Sequence, residues 1–232
     1  MTNTQHTSDT SDALDNGTAH GIEVVAGTEA IAEARELLVQ ALLEAQPTDP
    51  TLCEGWQARH MVAHLVLRET SPLTAAGVLG GPLGARTERK TDELAQRLSD
   101  QRAYSEEIAR FAGLRGYAQM RTRAPKIDQA MNLLEYVVHA EDVRRAQPGH
   151  ERSQFSPEGR QQIWKALRAA ARPLAGRDYP DGLVLESAGM TPVAHTVRAA
   201  RDGAVATVLS GAPEELVLYL FGRTEVAEVK VQ

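Results

Sequence analysis

The chain has little of what marks several large classes of protein. It carries a single cysteine, Cys53, among 232 residues, so no intrachain disulfide can form, which is typical of a reducing compartment. It has no run of 18 apolar residues, so we expect no transmembrane helix. Its formal net charge is −6 with acids interleaved among the arginines, which argues against a nucleic-acid-binding face. We therefore expect a cytoplasmic protein that binds neither membranes nor nucleic acid.

Aromatic side chains are also scarce. They make up 4% of the chain, whereas hydrophobic residues as a whole make up 42%. A core built mainly of alanine, leucine and valine suits closely packed helices better than a β-sandwich. Residues 1–24 are mostly polar and lack the apolar core of a signal peptide, so we expect them to form a disordered N-terminal tail.

Helix-period apolar patterns cover most of the remaining chain. They predict five helices, which run from Thr28 to about Ala45 and over residues 57–69, 86–112, 126–146 and 157–172. A glycine- and proline-rich stretch, residues 71–86, predicts a long loop.

The pattern changes after Pro180. Short strands are expected over residues 183–187, 195–199, 204–209 and 226–231, with a helix over residues 213–221. The fold class is therefore mainly α, with a helical domain over residues 25–178 and a small α+β domain over residues 179–232.

Three titratable side chains share one face of the predicted helix 126–146. At 100° per residue, His139 lies about 40° from Glu135 and Asp142 about 20° on the other side. A carboxylate and an imidazole four residues apart can reach one cation. Asp142 could then act as a further ligand or accept the free N–H of His139. The same spacing also occurs in simple exposed ion pairs.

The predicted helix 57–69 supplies a complementary group. His60 and His64 are four residues apart, and His64 lies among apolar neighbours, so we expect it to face inward. His64, Glu135 and His139 together form a ligand set for one divalent metal with an open position, most suited to zinc. Two histidines and a carboxylate also suit other metals. An inward histidine can equally be a hydrogen-bonded core residue.

Two segments resemble a known family. Residues 52–65 read L-C-E-G-W-Q-A-R-H-M-V-A-H-L and resemble the G-W-x₄-(V/M)-x-A-H-L signature of the mycothiol-dependent maleylpyruvate isomerase family, within the DinB-like superfamily. Residues 135–142 read E-Y-V-V-H-A-E-D and resemble its E-x₃-H-x₂-D motif. The resemblance implies a DinB-like four-helix bundle followed by a small α+β domain, with His64, Glu135 and His139 as metal ligands. The run H-A-E-D-V-R-R is similar to an actinobacterial branch described only as metal-binding.

A third segment extends the resemblance to the C-terminus. Residues 216–223 read L-V-L-Y-L-F-G-R and are similar to the family's L-x-W-L-x-G-R segment, although Tyr219 or Phe221 replaces the tryptophan. An arginine there helps the isomerase to bind its acidic substrate, so the resemblance implies a catalytic role for Arg223. Asp142 is the other candidate catalytic residue.

Three functions remain open from the sequence. The first is a thiol transferase or isomerase, in which a metal activates a low-molecular-weight thiol such as mycothiol for addition to an electrophilic small molecule. The second is a hydrolase that uses metal-bound water, with Asp142 as base. The third is a non-catalytic metal-binding protein whose site is closed by His60 or Asp142. The sequence makes no prediction of oligomeric state.

Overall fold

Helices dominate the structure, a computed structural model that describes residues 17–70, 82–114 and 125–232. Six helices precede the sheet in these ranges: α1 Gly17–Glu44, α2 Ala58–Thr70, α3 Pro82–Arg97, α4 Gln101–Gly113, α5 Pro125–Arg144 and α6 Pro157–Leu174. Helix α5 packs against α1 and α6, and α2 packs against α3 and α4. The predicted mainly helical fold class is confirmed. No helix of the described ranges is long and apolar enough to cross a bilayer.

The core is aliphatic, as the composition predicts. Its fully buried side chains are mostly leucine, alanine and valine, and the few large rings among them are Trp164, Tyr104, Tyr136 and Phe111. The interior also holds buried charged side chains, between α2 and α5 and around Arg145.

A small sheet follows the helices. Strand β1 Leu183–Glu186 pairs antiparallel with β2 Ala194–Arg198 and parallel with β3 Thr207–Ser210, and β3 pairs antiparallel with β4 Lys230–Val231. Helix α7, Pro213–Leu220, lies between β3 and β4 in the chain and packs on α6 and α5. The predicted C-terminal combination of strands and one helix is confirmed, whereas the boundaries at residues 25–178 and 179–232 stay a prediction.

One long helix was expected over residues 86–112, and that prediction is wrong. Helix α3 ends at Arg97 and α4 begins at Gln101, because the side chain of Asp100 accepts a hydrogen bond from the backbone N–H of Ala103 and caps a new helix. The chain can therefore turn between two helices whose apolar faces continue the same pattern.

Other boundaries also differ from the expectations. Helix α1 begins at Gly17 and not at Thr28, so residues 17–24 are helical; no proline interrupts residues 17–44, and extending a helix is easier than starting one. Residues 1–16 and 71–81 lie outside the described residues. Residues 82–86 of the expected loop belong to α3, with Pro82 in its first position. Strand β3 begins later than residue 204, and β4 is shorter than residues 226–231.

Candidate metal centre

Helices α2 and α5 run antiparallel and face each other through polar side chains. The rings of His64 and His139 meet edge to face with centroids 5.4 Å apart. One turn along each helix, the Nε of Arg68 lies 2.6 Å from the Oε2 of Glu135. His64 on α2 thus faces His139 on α5, and Arg68 on α2 faces Glu135 on α5. These two polar contacts lie one helical turn apart between the helices.

His64 is held neutral in this position. Burial lowers its pKa to about 3, and the nearby His139 and Arg68 add to the shift because they disfavour a second positive charge. The ring of Trp56, in the loop before α2, lies 5.2 Å away between centroids. A neutral imidazole keeps a lone pair that can bind a metal.

Asp142 connects His139 to two more residues. Its Oδ2 lies 3.1 Å from the Nδ1 of His139 and accepts a hydrogen bond from the Cys53 thiol at 3.2 Å. Arg223 donates to both carboxylate oxygens, from Nε at 2.8 Å and from Nη2 at 2.7 Å. Because the carboxylate accepts, we assign the His139 proton to Nδ1, which leaves Nε2 as the ring's ligand atom.

The charges in this group are set by the same contacts. Burial by itself would raise the pKa of Asp142, but hydrogen bonds from His139 and Arg223 hold that pKa below its usual value. Burial raises the pKa of the Cys53 thiol to about 12, and the neighbouring Asp142 charge adds to the rise. Asp142 is therefore an anion at neutral pH, paired with Arg223, and Cys53 is a protonated thiol.

The structure brings the predicted site residues together in two subsets. Within the described ranges, the ligand-type atoms that lie within 4.8 Å of one another belong to Cys53, His139 and Asp142. His64 joins them through its ring contact with His139, and Glu135 is engaged by Arg68. These contacts leave the predicted ligand set of His64, Glu135 and His139 as a proposal.

No role was predicted from the sequence for Arg68 or Cys53, nor was the contact between Arg223 and Asp142. The sequence could have indicated that Arg68 lies near the site, because it is one turn beyond His64 on the same helix face. The contact between Cys53 and Arg223 could not be predicted from the sequence, since 170 positions separate these residues. His60 lies elsewhere, where its Nδ1 accepts the backbone N–H of Gln57 at 3.1 Å near the start of α2.

A cavity of about 440 Å³ adjoins the Asp142 group. The loop before α2 and the segment after α7 form its walls, through Leu52, Cys53, Glu54, Gly222, Arg223, Glu225 and Val226. The hypothesis of a thiol transferase or isomerase predicts a pocket lined by the 71–86 loop and the C-terminal unit. The C-terminal residues do line this cavity, whereas residues 71–81 of that loop lie outside the described residues.

The depressed pKa of His64 predicts acid sensitivity of the metal-free protein. Below pH 6.5 the unfolded chain binds a proton at His64 that the folded chain excludes until about pH 3, so stability falls as pH drops through this window. We expect His64 to contribute about 1 kcal/mol of the stability lost between pH 7.5 and 5.5. Urea unfolding with chelator at both pH values should show this contribution missing in His64→Gln. An identical pH dependence in the two proteins would contradict the assignment.

Comparison with known proteins places the fold. No family model and no curated protein matches the sequence. A crystal structure of the mycothiol-dependent maleylpyruvate isomerase matches with a TM-score of 0.55 and 19% identity, over 89% of this chain and 92% of that chain. The crystal structure of a histidine-to-alanine mutant of that enzyme matches with a TM-score of 0.56 at the same identity and coverage. The chain therefore has the overall fold of the mycothiol-dependent maleylpyruvate isomerase.

Proposed function

We propose that the chain is a metal-dependent enzyme that joins a low-molecular-weight thiol, such as mycothiol, to an electrophilic small molecule. His64, Glu135 and His139 would hold one divalent ion, with Zn²⁺ the expected metal. The observation that carries the proposal is the meeting of His64 and His139 between two helices, with His64 neutral and His139 oriented by a carboxylate. The fold that the chain shares with the mycothiol-dependent maleylpyruvate isomerase also supports this proposal. We also propose that the helical part is a DinB-like four-helix bundle.

Asp142 fits the role of an orienting carboxylate. A histidine that binds a metal through one nitrogen commonly donates its other N–H to a carboxylate, which fixes the ring and raises its basicity. Asp142 stands in that relation to His139, and Arg223 holds Asp142 in turn. The catalytic roles expected for Asp142 and Arg223 stay predictions. Their contacts with each other support a positioning role for both, in which Arg223 fixes Asp142 and Asp142 orients His139.

Cys53, His139 and Asp142 are a competing ligand set, because their ligand atoms are close. Arg223 already acts as the cation of this group, since it contacts both oxygens of Asp142 and the sulfur of Cys53. A second positive ion at the same place would be repelled by the guanidinium. We therefore favour the face of His139 that is turned toward His64.

The charges around the proposed site favour an anionic ligand. Arg68 balances Glu135 and Arg223 balances Asp142, while His64 is neutral. One divalent ion would add two positive charges to a site that otherwise sums to zero. A thiol coordinated to such an ion would lose its proton at neutral pH and would then be the reactive thiolate. The protein then needs no nucleophilic cysteine, in agreement with the protonated state of Cys53.

A non-catalytic metal-binding protein is the second candidate, because the ligand atoms of Cys53, His139 and Asp142 lie within 4.8 Å of one another and offer three protein ligands for one ion. The metal-water hydrolase is less well supported, since the base it requires, Asp142, is engaged by Arg223.

Thiol binding to the Co²⁺-loaded protein tests the proposal. We expect mycothiol, or a simpler thiol, to produce a new sulfur-to-cobalt absorption band in the near ultraviolet. The same band in Cys53→Ser would show that the sulfur comes from the added thiol and not from the protein. A Co²⁺ spectrum that no added thiol changes would contradict the proposed enzyme and favour the closed, non-catalytic site.

A further inference from the structure

The ring of Trp56, in the loop before α2, packs against the ring of His64. Their centroids are 5.2 Å apart and their planes are inclined by 52°. This separation lies within the range that aromatic pairs prefer. The other ring that His64 meets is that of His139, with centroids 5.4 Å apart. Ring contacts therefore set the orientation of His64, whereas His139 is also held by its hydrogen bond with Asp142.

A tight turn fixes the backbone that carries Trp56. Its N–H donates to the carbonyl oxygen of Cys53 at 2.9 Å, and Gly55, between them, takes a φ of +75°, which glycine adopts without strain. The carbonyl oxygen of Trp56 accepts hydrogen bonds from the backbone N–H and from the hydroxyl of Thr51, both at 3.1 Å. The indole thus extends from a backbone whose donor and acceptor are both engaged.

The same loop is attached to helix α5. The N–H of Leu52 donates to the backbone oxygen of Asp142 at 2.9 Å, and the Cys53 thiol donates to the carboxylate of Asp142 at 3.2 Å. Trp56 is therefore held relative to α5 as well as to α2, which follows it directly in the chain. Its position is fixed with respect to both helices of the proposed metal site.

A histidine that binds a metal benefits from a contact of this kind. Rotation of the imidazole ring about its bond to Cβ is only weakly restricted, because torsions between a tetrahedral and a planar carbon have broad minima. A ring that rotates must be ordered when the ion binds, and this ordering weakens binding. A hydrogen bond from the second ring nitrogen commonly prevents the rotation. At His64 the packed indole restricts it instead.

We propose that Trp56 is a positioning residue that fixes the ring of His64 for metal binding. The inference rests on the proposed function, since it needs the ion that His64 would share with Glu135 and His139. Asp142 orients one histidine through a hydrogen bond, and Trp56 orients the other through packing. The flat ring of the side chain carries this role, so phenylalanine should replace Trp56 better than leucine does.

Zn²⁺ affinity and the visible absorption of the Co²⁺ complex test the inference. Dissociation constants are measured by competition with a chromophoric chelator for the wild type, Trp56→Leu and Trp56→Phe. We expect Trp56→Leu to weaken Zn²⁺ binding by about tenfold, the lower end of the usual range for residues that hold a metal ligand. Its Co²⁺ bands should shift and broaden, because the geometry around the ion becomes less uniform. Trp56→Phe should recover most of the affinity and the wild-type bands.

Trp164→Leu is the matched control. Trp164 is fully buried on α6, and its indole N–H donates to the backbone oxygen of Pro192 at 2.7 Å. Its loss should lower stability without removing the ring contact of His64, so Zn²⁺ affinity and Co²⁺ bands should equal those of the wild type. Trp164→Phe replaces this control if the leucine variant does not fold. Trp56→Met, which is apolar but has no ring, likewise replaces Trp56→Leu.

Wild-type affinity and Co²⁺ bands in Trp56→Leu would overturn the inference and leave the proposed function intact. Equal losses in Trp56→Leu and Trp164→Leu would also overturn it, because the effect would then be one of general stability. Failure of Trp56→Phe to bind more tightly than Trp56→Leu would exclude the role of the ring. A wild-type chain that binds neither Zn²⁺ nor Co²⁺ would instead contradict the proposed function, and this inference with it.

Discussion

Replacing Arg145 with alanine is expected to lower the free energy of unfolding by about 3–5 kcal/mol. Its side chain is 3% exposed and contacts two buried carboxylates, Glu141 at 2.5 Å and Glu215 at 2.6 Å. It also donates to the backbone oxygen of Val226 at 2.7 Å. The variant would leave two buried negative charges without their shared partner. Urea unfolding of the two proteins measures the difference.

Arg102 is a matched control for this prediction. It pairs with Glu106 at the same spacing of four residues, but its side chain is 88% exposed. Water already solvates both charges there, so Arg102→Ala should change stability by no more than about 0.5 kcal/mol. Equal effects of the two substitutions would show that the buried network around Arg145 does not connect α5 to the C-terminal segment in the way described.

The second large effect is expected at Asp142. Asp142→Asn keeps the size of the side chain but removes the charge that pairs with Arg223 and orients His139. The amide can also turn its NH₂ group toward the Nδ1–H of His139, which would push the ring away from its present orientation. We expect Zn²⁺ binding to weaken by about 10- to 100-fold.

Competition with a chromophoric chelator measures this loss, and Asp92→Asn on α3 is the control. Asp92 is exposed, so its substitution removes the same charge from the chain without changing the His139 hydrogen bond. If Asp142→Asn bound Zn²⁺ as tightly as Asp92→Asn, the proposed orienting role of Asp142 would be wrong.

Helical periodicity carried much of the structural prediction. The spacing of Glu135, His139 and Asp142 placed three side chains on one face of α5, and the structure shows two of them in a direct contact. The apolar neighbours of His64 indicated that it turns inward, in agreement with its contact with His139. Such patterns are local, so a single sequence can reveal them.

Contacts between residues far apart in the chain could not be predicted from helical periodicity. Arg223 reaches Asp142 across 81 positions, and only the packing of α7 on α5 brings them together. The break at Asp100 was missed for a different reason. The apolar pattern continues through it, and the capping aspartate that ends the run is a weak signal beside that pattern.

Metal content of the purified protein, determined by elemental analysis, tests the central claim most directly. We predict about one divalent ion per chain in the wild type and in Cys53→Ser, and loss of the ion in His64→Ala and Glu135→Ala. This result would assign the ion to the face shared by His64, Glu135 and His139. Loss in Cys53→Ser with retention in His64→Ala, or a wild-type chain that neither contains nor takes up metal, would contradict the account.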